Sequence, residues 1–124
     1  MYRYYNPNPV GRTTVDDCTV RALAIALDVS WEEAFAMTAM NGFQMGDMQN
    51  ANSVWGAVLR QHGFYRQNIP NTCPDCYTVE KFARDNPQGI YVIGTGSHVV
   101  TIIDGDWFDT YNSKDEVPAY FWAR

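Results

Sequence analysis

The sequence predicts a single α+β domain over residues 1–124, in which N-terminal helices pack on a C-terminal antiparallel β-sheet. Apolar residues repeat at helical spacing through the first two thirds of the chain, and β-branched and aromatic residues dominate after residue 90. A chain of 124 residues with 46% hydrophobic residues can build one core without help from a metal or a disulfide. We therefore expect one independently folded unit.

Four helices are predicted from their capping residues and their apolar periodicity. The first begins at Cys18, because Asp16 or Asp17 can cap it, and ends near residue 27. The second opens with the capping box Ser30 to Glu33 and is expected to end near Gly42. The third runs through residues 54–59 and stops at Gly63, and a short fourth helix over 79–84 follows Thr78.

The sheet is predicted from four segments near the C-terminus and one earlier segment. The C-terminal segments are residues 90–93, 98–103, 107–111 and 117–122, and the earlier one is 64–69. Asp104-Gly105 is a strong hairpin turn between two of them.

Charge and hydropathy exclude two classes of partner. The net charge is −5 and the basic residues are scattered singly, so we expect no binding to duplex nucleic acid. The longest apolar run, residues 22–27, is far shorter than the roughly 20 residues of a membrane span, and the first residues lack the apolar stretch of a secretory signal. These features predict a cytoplasmic protein that does not enter a membrane.

The three cysteines are expected to be reduced, because an odd number argues against a disulfide framework. Cys73 and Cys76 have the spacing of half a zinc site, but no second Cys-x-x-Cys accompanies them. We expect the pair to form a loop turn, and we expect neither a metal nor another cofactor.

Cys18 and His98 are candidates for thiol catalysis, which requires a nucleophile, a base and a group that orients the base. Cys18 is placed at a helix N-terminus, although the helix dipole alone contributes only about 0.3–1 kcal/mol. Its reactivity therefore depends on a neighbouring cation, and His98 opens a strand from which it could supply one.

Two residues are candidates for orienting His98, and the length of the hairpin loop decides between them. With a two-residue loop at Asp104-Gly105, position 98 faces 111 and Asp109 lies diagonally on the same face. With a three-residue loop, position 98 pairs with Asn112. Both remain open at this point.

The order Cys at a helix N-terminus, His at a strand start, and Asp or Asn after a hairpin resembles the papain-like cysteine peptidase superfamily. Nearly the whole chain also resembles a family of small uncharacterised proteins of bacteriophages and prophages. The segments that carry this second likeness are Asp17-Cys18-Thr-Val-Arg-Ala-Leu, Gly42-Phe, Asn71-Thr-Cys-Pro-Asp-Cys-Tyr-Thr-Val, Ser97-His98-Val-Val-Thr and Asp109-Thr-Tyr-Asn-Ser.

The resemblance implies a papain-like fold and a phage-encoded thiol hydrolase, a cysteine peptidase or amidase, acting in the host cytoplasm on a peptide or other amide. Papain-like enzymes place a Gln about six residues before the nucleophile to bind the oxyanion, whereas this chain has Arg12 there. Asn6, Asn8 or Gln44 could replace that donor. The alternative interpretation is a catalytically silent module of the same fold that binds a host protein or a small metabolite.

Overall fold

The computed structural model describes residues 1–124, which form four helices and six strands. The helices are α1 (Cys18–Ala26), α2 (Trp31–Met45), α3 (Asn52–Gln61) and α4 (Val79–Asp85). The strands are β1 (Tyr2–Tyr4), β2 (Tyr65–Asn68), β3 (Ile90–Gly94), β4 (Val99–Ile103), β5 (Asp106–Asp109) and β6 (Tyr120–Ala123). The predicted α+β class is confirmed.

All six strands belong to one sheet with the order β1-β5-β4-β3-β6-β2. The sheet is mixed, which corrects the expectation of a purely antiparallel one. The short strand β1, which the sequence did not reveal, pairs in parallel with β5 so that Tyr2 lies opposite Trp107. The other pairs are antiparallel.

The start of α2 follows its predicted cap, but its end does not. Ser30 accepts a hydrogen bond from the Glu33 amide at 3.0 Å, as the capping box predicts. The helix does not end near Gly42 but continues to Met45, and Gly46 takes the left-handed cap with φ +69°. Gly42 is needed for another reason, because a Cβ there would lie 2.8 Å from the Asp47 carbonyl oxygen.

Helices cover both faces of the sheet, and each face has its own apolar core. Because successive side chains of a strand point to opposite faces of the sheet, Val92 belongs to one core and Ile93 to the other. The first core contains residues from α1, α2 and α3, whereas the second is closed by Val79 and Phe82 of α4. None of the four helices has the length and apolar character that crossing a bilayer requires.

The loop before α4 contains a disulfide between Cys73 and Cys76. The expectation that all three thiols are reduced is therefore wrong for this pair. Only Pro74 and Asp75 lie between the two cysteines, so the short loop turn that the sequence indicates is also covalently closed. Cys18 is the free cysteine of the chain.

Candidate active site

Cys18 is the first residue of α1 and is partly exposed. Neither acidic residue before it caps the helix as the sequence suggested, because Asp17 occupies the N-cap position without forming a side-chain hydrogen bond to the helix. The buried Asp17 carboxylate instead accepts hydrogen bonds from Arg21 and, at 2.9 Å, from the indole of Trp31. The contacts of Asp17 with Arg21 and Trp31 thus fix the start of the helix.

His98 lies immediately before β4, and its ring is held by Asp109 of β5. The distance from Nε2 of His98 to Oδ2 of Asp109 is 2.6 Å, and both side chains are almost fully buried. Because Nε2 is engaged by the carboxylate, Nδ1 is the ring nitrogen left for Cys18. The structure therefore brings together three of the four candidate residues.

The hairpin between β4 and β5 explains why Asp109 meets His98. Ile103 pairs with Asp106, so the loop is the two-residue turn Asp104-Gly105. Both loop residues have positive φ, +50° for Asp104 and +83° for Gly105, which suits the tight turns of antiparallel hairpins. The register places position 98 opposite 111, and the rings of His98 and Tyr111 lie 5.2 Å apart.

Asn112 does not contact His98, and the three-residue loop that would have paired them is wrong. The Asn112 side chain is exposed, and its Oδ1 accepts hydrogen bonds from the Trp107 indole at 3.0 Å and from the Lys114 amide at 3.2 Å. It fixes the turn after β5. Ser113, the next residue, is buried and helps to lower the pKa of Asp109.

The electrostatics of the pair favour a charged imidazole. Burial lowers the pKa of His98, but hydrogen bonds with Asp109 and Cys18 and the charges of both outweigh it and raise the pKa to about 9. Burial raises the pKa of Asp109, whereas its hydrogen bond with His98 and the charge of the ring bring the pKa below the ordinary value. The charge of Asp109 and the sulfur of Cys18 thus both favour the charged form of the His98 ring.

Arg21 links Asp109 to Asp17 at the start of α1. The sequence pattern alone does not predict this role. Its guanidinium lies between the carboxylates of Asp17, one helical turn earlier, and Asp109, whose Oδ1 is 3.4 Å from Nη2. All three side chains are buried. The four-residue spacing of Asp17 and Arg21 is visible in the sequence, but the contact with Asp109 depends on the tertiary fold.

Cys18 and His98 line the same cavity, which has a volume of about 160 Å³. Asn50 and Asn52 also line it, whereas Asn6, Asn8 and Gln44 do not. Asn6 and Asn8 are instead used inside the N-terminal loop, where Asn6 donates to the carbonyl of Arg12 and Asn8 accepts from its amide. The amide groups near the thiol thus come from the loop before α3 and from its first residue.

Tyr120 forms one wall of this cavity because the strand opposite it carries a glycine. Gly94 of β3 pairs with Tyr120 of β6, and a Cβ at position 94 would lie 2.1 Å from the tyrosine ring. The ring can therefore lie flat across β3. Only a residue without a side chain is compatible with this arrangement.

The assembled site consists of Cys18, His98 and Asp109, supported by Arg21, with Asn112 outside it. No family model, no curated protein and no solved structure matches this chain.

Proposed function

We propose that the protein is a papain-like thiol hydrolase, encoded by a phage or prophage, that cleaves a peptide or other amide bond. The observation that carries the proposal is the arrangement of Asp109, which is bonded to His98, and of Cys18, which lines the same cavity as His98. It contains the nucleophile, the base and the orienting group that thiol catalysis requires. The order of these residues along the chain matches the papain-like pattern.

The reaction begins with the Cys18 thiolate, which an adjacent imidazolium favours. Its sulfur attacks the substrate carbonyl carbon, and the electron pair of the C=O bond moves to the oxygen. His98 then transfers its Nδ1 proton to the departing amine as the C–N bond breaks, which leaves a thioester on Cys18. A water molecule, deprotonated by the neutral His98, attacks the thioester and releases the acid and the thiolate.

The oxyanion that forms in each step needs donors near the sulfur. The backbone amide of Cys18 is one, because the first amides of a helix have no partner within it. The side-chain amides of Asn50 and Asn52 line the same cavity and can supply the second. Removing one such donor typically costs about 10²–10³ in rate, so the two asparagines would contribute measurably.

The test is the rate of Cys18 alkylation by iodoacetamide as a function of pH. Because Cys73 and Cys76 are joined in a disulfide, Cys18 is the thiol that reacts in the folded protein. We expect rapid alkylation that persists below neutral pH, and slow alkylation with an ordinary thiol profile in His98→Gln. Equal profiles for the two proteins would refute the ion pair and the hydrolase with it.

A catalytically silent module that binds a host protein or a small metabolite is the second candidate. It is favoured by the missing glutamine: no glutamine lines the cavity, and Arg12 occupies the sequence position six residues before Cys18. The two candidates differ in turnover. Acylation of Cys18 by an activated ester, followed by mass spectrometry, gives an acyl-enzyme that disappears with time in a hydrolase and persists in a binding module.

A further inference from the structure

A second cavity, of about 230 Å³, adjoins the cavity that contains Cys18. Asn52 and Tyr120 line both, so the two cavities share a wall. The second cavity is also lined by two arginines on an otherwise acidic protein of net charge −5. Its lining residues are Asn52, Ser53, Trp55, Arg60, Arg66, Tyr120 and Trp122.

The two arginines are held in place by aromatic rings and not by acidic residues. Arg60 lies over the ring of Trp122 at 5.4 Å, and Arg66 lies over the ring of Tyr120 at 4.2 Å. Arg66 also donates a hydrogen bond to Asn68 at 2.8 Å. Neither guanidinium forms an ion pair with a carboxylate, so both charges are available to a ligand.

Trp122 and Asn52, which line the same cavity, also carry hydrogen-bond donors. The indole Nε1 of Trp122 is buried and has no partner, which is a costly state for a donor. Asn52 accepts a hydrogen bond from Trp55 at 3.1 Å through Oδ1, so its amide nitrogen remains free to donate. The hydroxyl of Ser53 is already used by Asp47, at 3.3 Å. The unsatisfied groups are thus donors and cations, which together suit an anion.

Tyr120 shows that this cavity and the thiol are electrostatically close. Burial raises the pKa of Tyr120, the charge of Arg66 lowers it, and the charge of Cys18 raises it. The phenol is therefore within range of both the arginine and the sulfur. Tyr120 and Asn52 are the residues that the two cavities share.

We infer that the arginine cavity, lined by Arg60 and Arg66, binds an anionic group of the same amide substrate that Cys18 attacks. This inference rests on the proposed function. The group is a carboxylate or a phosphate, since guanidinium groups and N–H donors bind both. Substrates with a neutral or cationic group at this position bind less well.

The first experiment detects the anion without any reaction at Cys18. Inorganic phosphate and acetate are titrated into the protein at constant ionic strength, and the indole N–H resonance of Trp122 is followed by NMR. We expect a saturable shift that is lost in the double variant Arg60→Gln/Arg66→Gln. Arg124→Gln is the matched control, because Arg124 stacks on Phe64 at 4.8 Å outside the cavity and should leave the shift unchanged.

The second experiment measures how fast Cys18 is modified by a matched set of haloacetamides. The nitrogen of each probe carries the same short chain, ending in a carboxylate, a phosphonate or a neutral carboxamide. We expect the better anionic probe to react about tenfold faster than the neutral one, a preference worth a single favourable charge pair. If the carboxylate probe reacts faster than the phosphonate probe, the bound group of the substrate is a carboxylate; the reverse order identifies a phosphate.

The outcomes separate the two proposals. Fast modification at equal rates by all probes, with no phosphate or acetate shift, would overturn the anion site and leave the hydrolase intact. Slow modification by every probe, together with a saturable shift, would refute the hydrolase and retain the anion site. A lysine pair, Arg60→Lys/Arg66→Lys, keeps both charges and should retain most of the preference. If the preference for anionic probes is completely lost in this lysine variant, the effect is due to packing and the inference is overturned.

Discussion

Thr101 and Ala22 are joined across the interface between β4 and α1, with Oγ1 of Thr101 donating to the Ala22 carbonyl at 2.8 Å. Ala22 lies one helical turn after Cys18, and Thr101 lies three residues after His98. This buried hydrogen bond therefore fixes the helix that carries the thiol against the strand that follows the base.

Replacing Thr101 by valine should loosen that connection. The Thr101 side chain is fully buried. Thr101→Val keeps the shape of this side chain and removes only its hydroxyl. We expect a loss of about 1 kcal/mol in the free energy of unfolding, typical of one hydrogen bond, measured by urea denaturation. Thr110→Val is the control, because its hydroxyl forms no hydrogen bond; equal effects of the two variants would contradict the prediction.

Replacing Asp109 by asparagine should lower the pKa of His98. The carboxylate stabilises the imidazolium through a hydrogen bond and through its charge, and a neutral amide retains at most the first. The pKa should fall from about 9 toward the ordinary value of 6.5, as measured by NMR titration of the ring protons. Asn112→Ala should leave the pKa of His98 in place, because Asn112 bonds Trp107 instead.

The same raised pKa makes stability depend on pH. A histidine whose pKa is higher in the folded state stabilises the protein fully below its unfolded value of 6.5. That contribution disappears as the pH rises through about 9. We expect the wild type to lose stability between these limits in urea denaturation and His98→Gln to lose clearly less; parallel curves would show that His98 is not charged in the fold.

Replacing Arg21 by methionine should be among the most destabilising changes in the chain. It leaves the carboxylates of Asp17 and Asp109 buried without the cation that lies between them. Removing one partner of a buried pair costs about 3–5 kcal/mol. Arg84→Met is the control, because its ion pair with Asp85 is exposed and such pairs contribute about 0–1 kcal/mol. Chemical denaturation of both variants measures the difference.

Adding one methyl group at Gly94 should displace the ring of Tyr120. Its Cβ would lie 2.1 Å from that ring, so Gly94→Ala forces the tyrosine off the strand. Overpacking of this kind costs about 1–3 kcal/mol. Because Tyr120 separates the two cavities, the variant should also lose the preference for anionic probes. Gly11→Ala is the control, since nothing lies within 4 Å of a Cβ there and Gly11 lines neither cavity; its positive φ adds strain of its own.

The candidate site was largely predictable because its determinants are local. The Asp104-Gly105 turn fixes the register of the hairpin. This register places Asp109 of β5 next to β4, the strand that begins directly after His98. The choice between Asp109 and Asn112 needed the structure only to count the loop residues. Cys18 was placed at a helix start by the apolar period that follows it.

The parts that sequence reasoning missed depend on partners far away in the chain. Strand β1 is three residues long, and neither a turn nor an apolar periodicity marks it in the sequence. It forms because its backbone can pair with the edge of β5. The sequence pattern predicts a helix end at Gly42, whereas the glycine is needed for a close approach to the Asp47 backbone. Arg60 and Arg66 lie in different elements, and they line the same cavity only after the chain has folded.

The parallel pairing of β1 with β5 also has a consequence for the order in which the molecule assembles. The ribosome makes Tyr2 long before its partner Trp107, because the two residues lie far apart in the chain. The Tyr5 amide then bonds the carbonyl of Asp109 at 2.8 Å, on the residue that orients His98. Contacts between such distant residues form slowly, because closing the long loop costs entropy first. A nascent chain therefore acquires its helices early and a competent acid-base pair only after β5 has been made.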